Sequence, residues 1–151
     1  MASEESAAQA IVYRQLAQRD RTRAQLAKKL AEREVSDEVA ERVLDSFEVA
    51  GLVDDARYAQ RFAELSRQER GLSRRMIGMK LKDAGVAPEL IDSSLDGYQD
   101  EHGVALALAA RKAESTEGLD RDVRFRRISG FLARRGFPSG VVVSVTREVL
   151  G

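Results

Sequence analysis

The chain has 151 residues, with 25 basic and 25 acidic side chains, one histidine and no cysteine. Hydrophobic residues make up 43% and charged residues 33%, enough for a core beneath a densely ionic surface. The lack of cysteine excludes disulfides, thiolate chemistry and zinc knuckles, and no apolar run approaches the roughly 18 residues of a membrane-spanning helix.

The start, MASEESAAQA, is acidic and has neither a basic opening nor an apolar stretch. It does not read as a secretion signal, so a cytoplasmic address is expected. The zero net charge hides an asymmetry. Residues 1–51 and 52–102 each carry 8 Lys/Arg against 10 Asp/Glu, whereas residues 103–151 carry 9 against 5. Twenty of the 25 basic residues are arginine, the better fork for phosphate and carboxylate. A localised basic surface points toward a polyanion or an acidic protein partner.

In chain order, Ile11, Val12 and Leu16 stripe a first helix over 4–19. Thr22 is placed to cap a helix over 23–34, whose core face is Leu26, Ala27 and Leu30. Ser36 caps a helix over 37–50 that buries Val39, Ala40, Val43, Leu44 and Phe47, and Gly51 ends it. Asp54 and Asp55 open a long helix through Tyr58, Ala59, Phe62 and Leu65, broken at Gly71. Ser73 caps the next, with Met76, Ile77 and Leu81 inward and Gly85 as its stop. Pro88 begins a helix carrying Leu90, Ile91, Leu95 and Tyr98. Helices near 101–114, 121–135 and 138–150 complete the chain, with a linker at 115–119. The run Val141-Val142-Val143-Ser144-Val145 has strong β propensity.

A period of 51 residues runs through these elements. It aligns Leu26, Ile77 and Ile128; Leu30, Leu81 and Leu132; and Val35, Val86 and Phe137. It also aligns Val39, Leu90 and Val141; Ala40, Ile91 and Val142; and Phe47, Tyr98 and Val149. Ala27, Gly78 and Ser129 keep one position small, which lets a neighbouring helix approach. This register puts the valine run on a helix. The expected fold is therefore all-α, with three tandem three-helix repeats forming an elongated, slightly curved array. The expected units are 1–51 with a frayed N-terminus, 52–102, and the basic 103–151.

Catalytic chemistry has little to use. His102 stands beside Asp100 and Glu101 without ligand spacing, and Asp54-Asp55 reads as helix capping rather than a metal site. There is no phosphate loop and no dinucleotide fingerprint. No enzyme, cofactor or metal is expected. Basic clusters are the stronger lead. They comprise Arg19, Arg21, Arg23, Lys28 and Lys29, then Arg70, Arg74, Arg75, Lys80 and Lys82. In the last third they comprise Arg111, Lys112, Arg121, Arg124, Arg126, Arg127, Arg134 and Arg135. In each unit they gather around the start and outer side of the middle helix, where phosphate or carboxylate can bind. Phe47, Tyr58, Phe62, Tyr98 and Phe137 fall at core-like positions, so no base-stacking platform is indicated. Nucleic-acid contacts would be to phosphate, weakly sequence-specific and salt-sensitive.

Three stretches resemble the RecX family: LAQRDRTRAQLAKKL (16–30), FEVAGLVDDARYAQRF (47–62) and RGLSRRMIGMKLKDAGV (70–86). The middle one is the most specific, with its Gly-Leu turn, paired aspartates, arginine and aromatic-alanine step. Thr22 stands where the family often has serine. The resemblance implies three three-helix repeats and a monomeric protein without enzymatic activity. It also implies a regulator of recombination, DNA repair and the SOS response that lies along the RecA–DNA filament and restrains ATP hydrolysis and strand exchange. DNA binding, alone or within the filament, is implied as well. Charge reversal at Arg74/Arg75 or Arg126/Arg127 is expected to weaken that binding and leave helicity intact. The competing readings are a helix-turn-helix transcription regulator, which would show one base-reading helix and a dimer interface, and a plain helical scaffold.

Overall fold

The computed structural model describes residues 2–151, with side chains for 4–151. Among the described residues there are nine helices and no strand. They are α1 (Ala2–Gln18), α2 (Arg23–Glu32), α3 (Asp37–Val49), α4 (Asp55–Gln68) and α5 (Arg74–Asp83). Then follow α6 (Pro88–Leu95), α7 (Glu101–Ser115), α8 (Arg121–Arg134) and α9 (Ser139–Leu150). The boundaries agree with the sequence pattern to within about a turn because the caps are where the pattern put them. Thr22 accepts from the Gln25 amide while the Gln25 side chain accepts from the Thr22 amide, a capping box. Ser36 caps α3 through the Val39 amide, and Asp100 caps α7 through the Gly103 amide.

At two positions of the 51-residue register all three copies are buried, and at the other four buried and half-buried residues mix. Leu26, Ile77 and Ile128 are at most 1% exposed, and Leu30, Leu81 and Leu132 are all at 0%. The valine run is helical, with Val142 and Val145 buried in α9, so tertiary packing overrides its β propensity.

By packing, the chain divides into two compact units. One is Met1–Arg61 with Leu81–Ser93, and the other is Phe62–Lys80 with Ser94–Gly151. In the first, α1, α2 and α3 pack mutually around Val12, Leu26, Leu30, Val43 and Phe47. In the second, α7, α8 and α9 pack around Leu108, Ile128, Leu132, Phe137 and Val145. The middle three-helix segment is divided, each of its helices running from one unit into the other.

Each unit contains the same joint. In the first, the wholly buried Thr22 hydroxyl donates to the Ala84 carbonyl at 2.6 Å, seating the start of α2 on the end of α5. In the second, 51 residues on, the Ser73 amide donates to the Arg135 carbonyl at 3.1 Å, seating the start of α5 on the end of α8. The residue after each acceptor is a left-handed glycine, Gly85 at φ +83° and Gly136 at φ +91°. These glycines close the helices and leave no side chain to meet the neighbouring helix start. The equivalent residue of the first repeat is Glu34, which adopts φ +62° as a non-glycine. A carboxylate completes each joint. Asp55 accepts from the Arg23 amide at 2.9 Å and Glu101 from the Arg74 amide at 2.8 Å. Burial, more than the nearby charges of Glu48 and Asp54, pushes the Asp55 carboxyl above its usual range.

Tyr98 anchors the second unit. Its hydroxyl donates to the Leu72 carbonyl at 2.7 Å, and burial, then the Glu101 charge, pushes its phenol up to about 12. A free phenol titrates near about 10, so the folded chain holds this proton longer. The associated stability is complete below about pH 10 and fades as the pH rises toward 12. A tyrosinate absorbance titration is expected to show one of the three tyrosines ionising near pH 12. Three phenols titrating together near pH 10 would contradict the burial.

Candidate anion-binding site

The basic residues meet very different fates. Among the described residues, every ion pair lies between Asp20 and Arg61. Arg23 is held by Asp45 at 2.8 Å, Glu41 at 3.7 Å and Glu48. Arg21 donates to the Gln18 side chain and the Gln15 carbonyl, and burial, then the Arg19 charge, lowers its pKa. Arg19 and Lys28 stay exposed. In this unit much of the cationic charge is neutralised or spoken for.

The second unit differs. Two arginines there serve the backbone. Arg74 donates to the Leu95 carbonyl at 2.7 Å and to the Tyr98 carbonyl. Arg124 donates to the Thr116 hydroxyl and the Ala113 carbonyl, both at 3.1 Å. Reversing the charge of Arg74 would therefore disturb the fold as well as any binding. Arg75, Lys80, Arg126, Arg127 and Arg134 are exposed. No ion pair engages any of these five.

Four further cations converge. Arg70, Arg111, Lys112 and Arg135 line a cavity of about 330 Å³ with Glu69, Leu108, Ser115 and Phe131. Three elements supply them, and helical geometry explains each contribution. Leu108, Arg111, Lys112 and Ser115 are spaced i, i+3, i+4 and i+7, one face of α7. Phe131 and Arg135 are i and i+4 at the end of α8. Glu69 and Arg70 follow α4 and are brought in by Gly71. Gly71 has φ +62°, a left-handed conformation that favours glycine, and a Cβ there would lie 2.7 Å from Leu108 Cδ1 and push that side chain aside.

The Phe131 ring organises the charges. The Arg135 guanidinium lies 4.3 Å from its centroid and the Lys112 ammonium 5.2 Å, cation–π contacts that hold both groups partly desolvated. The Arg135 Nε is buried without a hydrogen-bond partner, an uncommon and costly state for a donor. One carboxylate faces four cations, and none of the four is in an ion pair. Such a cavity attracts anions, and its arginine forks suit phosphate or carboxylate oxygens. Among the described residues no group of three or more His, Cys, Asp or Glu side chains could hold a metal ion. Asp54 caps α4 through the Arg57 amide at 3.0 Å, and His102 is exposed at the start of α7.

Sequence reasoning named all four cations but not their meeting place, and it missed Phe131. The i, i+4 step from Phe131 to Arg135 was the available signal. Of the aromatics placed in the core, Phe47, Tyr98 and Phe137 are buried, while Tyr58 and Phe62 are half-buried.

Three tandem three-helix segments define a helical-repeat protein. No described helix is long and apolar enough to cross a membrane. The chain belongs to the RecX family. The family's first, second and third three-helix domains match residues 8–47, 54–95 and 99–146. It is 45% identical over 146 residues to the regulatory protein RecX of Streptomyces coelicolor, covering 95% of this chain and 77% of that one. It is 40% identical over 145 residues to the regulatory protein RecX of Thermobifida fusca, covering 95% and 78%. In fold it is similar to the crystal structure of RecX from Lactobacillus salivarius, with a TM-score of 0.83 at 17% identity over 99% of this chain and 98% of that one. The family is one of regulatory proteins.

Proposed function

We propose that this chain regulates the RecA recombinase by binding its DNA filament, restraining ATP hydrolysis and strand exchange. The supporting observation is the set of unpaired cations in the second unit, centred on the cavity of Arg70, Arg111, Lys112 and Arg135. Exposed Arg126, Arg127 and Arg134 extend the same charge along α8. Phosphates of a DNA strand are the natural counterpart, because each contact releases condensed counterions and gains affinity without reading sequence. The three modules, taken as 1–51, 52–102 and 103–151, act by occupancy in the cytoplasm, without a cofactor and as a monomer. Arg75 and Lys80 supply contacts from the middle module. Arg19, Arg21, Arg23 and Lys28 form a weaker flank, since Arg21 and Arg23 already have partners.

Co-sedimentation tests the partner. The chain is expected to pellet with preformed RecA–single-strand filaments at near-stoichiometric ratios and to remain in solution with RecA alone. A chain that ignores filaments and instead protects one defined duplex sequence would be a helix-turn-helix regulator.

A further inference from the structure

We propose that the cavity lined by Arg70, Arg111, Lys112 and Arg135 binds a phosphate monoester dianion, such as the phosphorylated 5′ end of a DNA strand. It prefers this group to the diester linkages of the strand interior. The inference rests on the reading of these residues as phosphate contacts, and it adds which phosphate they select.

The charge balance is the first argument. Four cations face the single carboxylate of Glu69, a formal excess of +3 in one cavity. A diester carries one negative charge, whereas a monoester carries about −1.5 to −2 at pH 7 and offers three terminal oxygens. Shape is the second. The open-sided cavity of about 330 Å³ is lined by three elements, so cations approach from several directions; a terminal phosphate presents three free oxygens to them, while a diester presents only two. The third argument is the donor set. The Phe131 ring fixes Arg135 and Lys112 in place. With both cations held beforehand, little side-chain freedom is lost when their terminal N–H groups meet a ligand oxygen.

The test uses the full chain and a short single-stranded oligonucleotide labelled at its 3′ end, carrying either a 5′ phosphate or a 5′ hydroxyl. Fluorescence anisotropy is expected to show about tenfold tighter binding of the phosphorylated form, the gain of one further charge-assisted contact. Arg111→Gln should weaken both forms and bring them to equal affinity, with circular dichroism unchanged because Arg111 is exposed on α7. Phe131→Leu should erase the gain too. Inorganic phosphate, added as competitor, separates the sources. Removal of the gain only at concentrations far above the oligonucleotide's assigns the strand end. Removal at matching concentrations assigns the free dianion, with the site unchanged. Equal binding of both oligonucleotides, lowered together by Arg111→Gln, overturns the monoester preference and leaves the filament reading standing. Binding that ignores both substitutions overturns the two together.

Discussion

Gly85→Ala is expected to destabilise the protein by about 3 kcal/mol, whereas Gly118→Ala should cost only about 1 kcal/mol. Both glycines are left-handed, at φ +83° and +86°, so the backbone penalty of adding a Cβ is the same for each. Their surroundings differ. A Cβ on Gly118 meets nothing within 4 Å, but one on Gly85 would lie well inside contact of the Ala24 methyl. Alanine has no rotamer with which to yield, so the start of α2 must move away from the end of α5, straining the bond from Thr22 to the Ala84 carbonyl. The difference should appear in thermal denaturation as a midpoint about 5 °C or more lower for Gly85→Ala than for Gly118→Ala. Equal shifts would mean that the joint is looser than the structure has it. At the equivalent position of the first repeat Glu34 is exposed and left-handed at φ +62°, so a side chain is accommodated there at the cost of the backbone penalty alone.

Neutralising the cavity should change binding as strongly as Gly85→Ala changes folding. Arg70 and Arg111 are exposed and form no ion pair, so the pair Arg70→Gln/Arg111→Gln leaves the core untouched. If each contacts a phosphate, single-strand affinity should fall about tenfold per arginine. The slope of log affinity against log salt should fall by about 1.4, since each released counterion contributes about 0.7 on a single strand. Arg23→Gln is the informative contrast. That guanidinium is already neutralised by Asp45, Glu41 and Glu48, so its loss should lower stability slightly and leave the salt slope unchanged. Identical slopes for all three proteins would remove the cavity from the DNA contact.

The helical plan was legible because burial follows the 3.6-residue repeat at positions such as Leu26/Leu30 and Ile128/Leu132, and because the caps Thr22 and Ser36 sit where the apolar spacing begins. Even the valine run of α9 could be assigned, since its place in the 51-residue register outweighed its local preference. The joints were not legible. Their glycine position reads Glu34, Gly85, Gly136, and nothing in a string of residues says that Thr22 reaches Ala84. The cavity was hidden for the same reason, since residues 69–70, 108–115 and 131–135 converge only once α7 and α8 are packed. Nor does an arginine announce whether it faces water or, like Arg74 and Arg124, closes a helix carbonyl.

The most direct measurement is the ATP turnover of preformed RecA–single-strand filaments to which the chain is added. The wild-type chain is expected to slow turnover at near-stoichiometric ratios, and the Arg70→Gln/Arg111→Gln chain to need at least about tenfold more protein for the same effect. Turnover that is unaffected by the wild-type chain, or equally slowed by both, would contradict regulation through these cations.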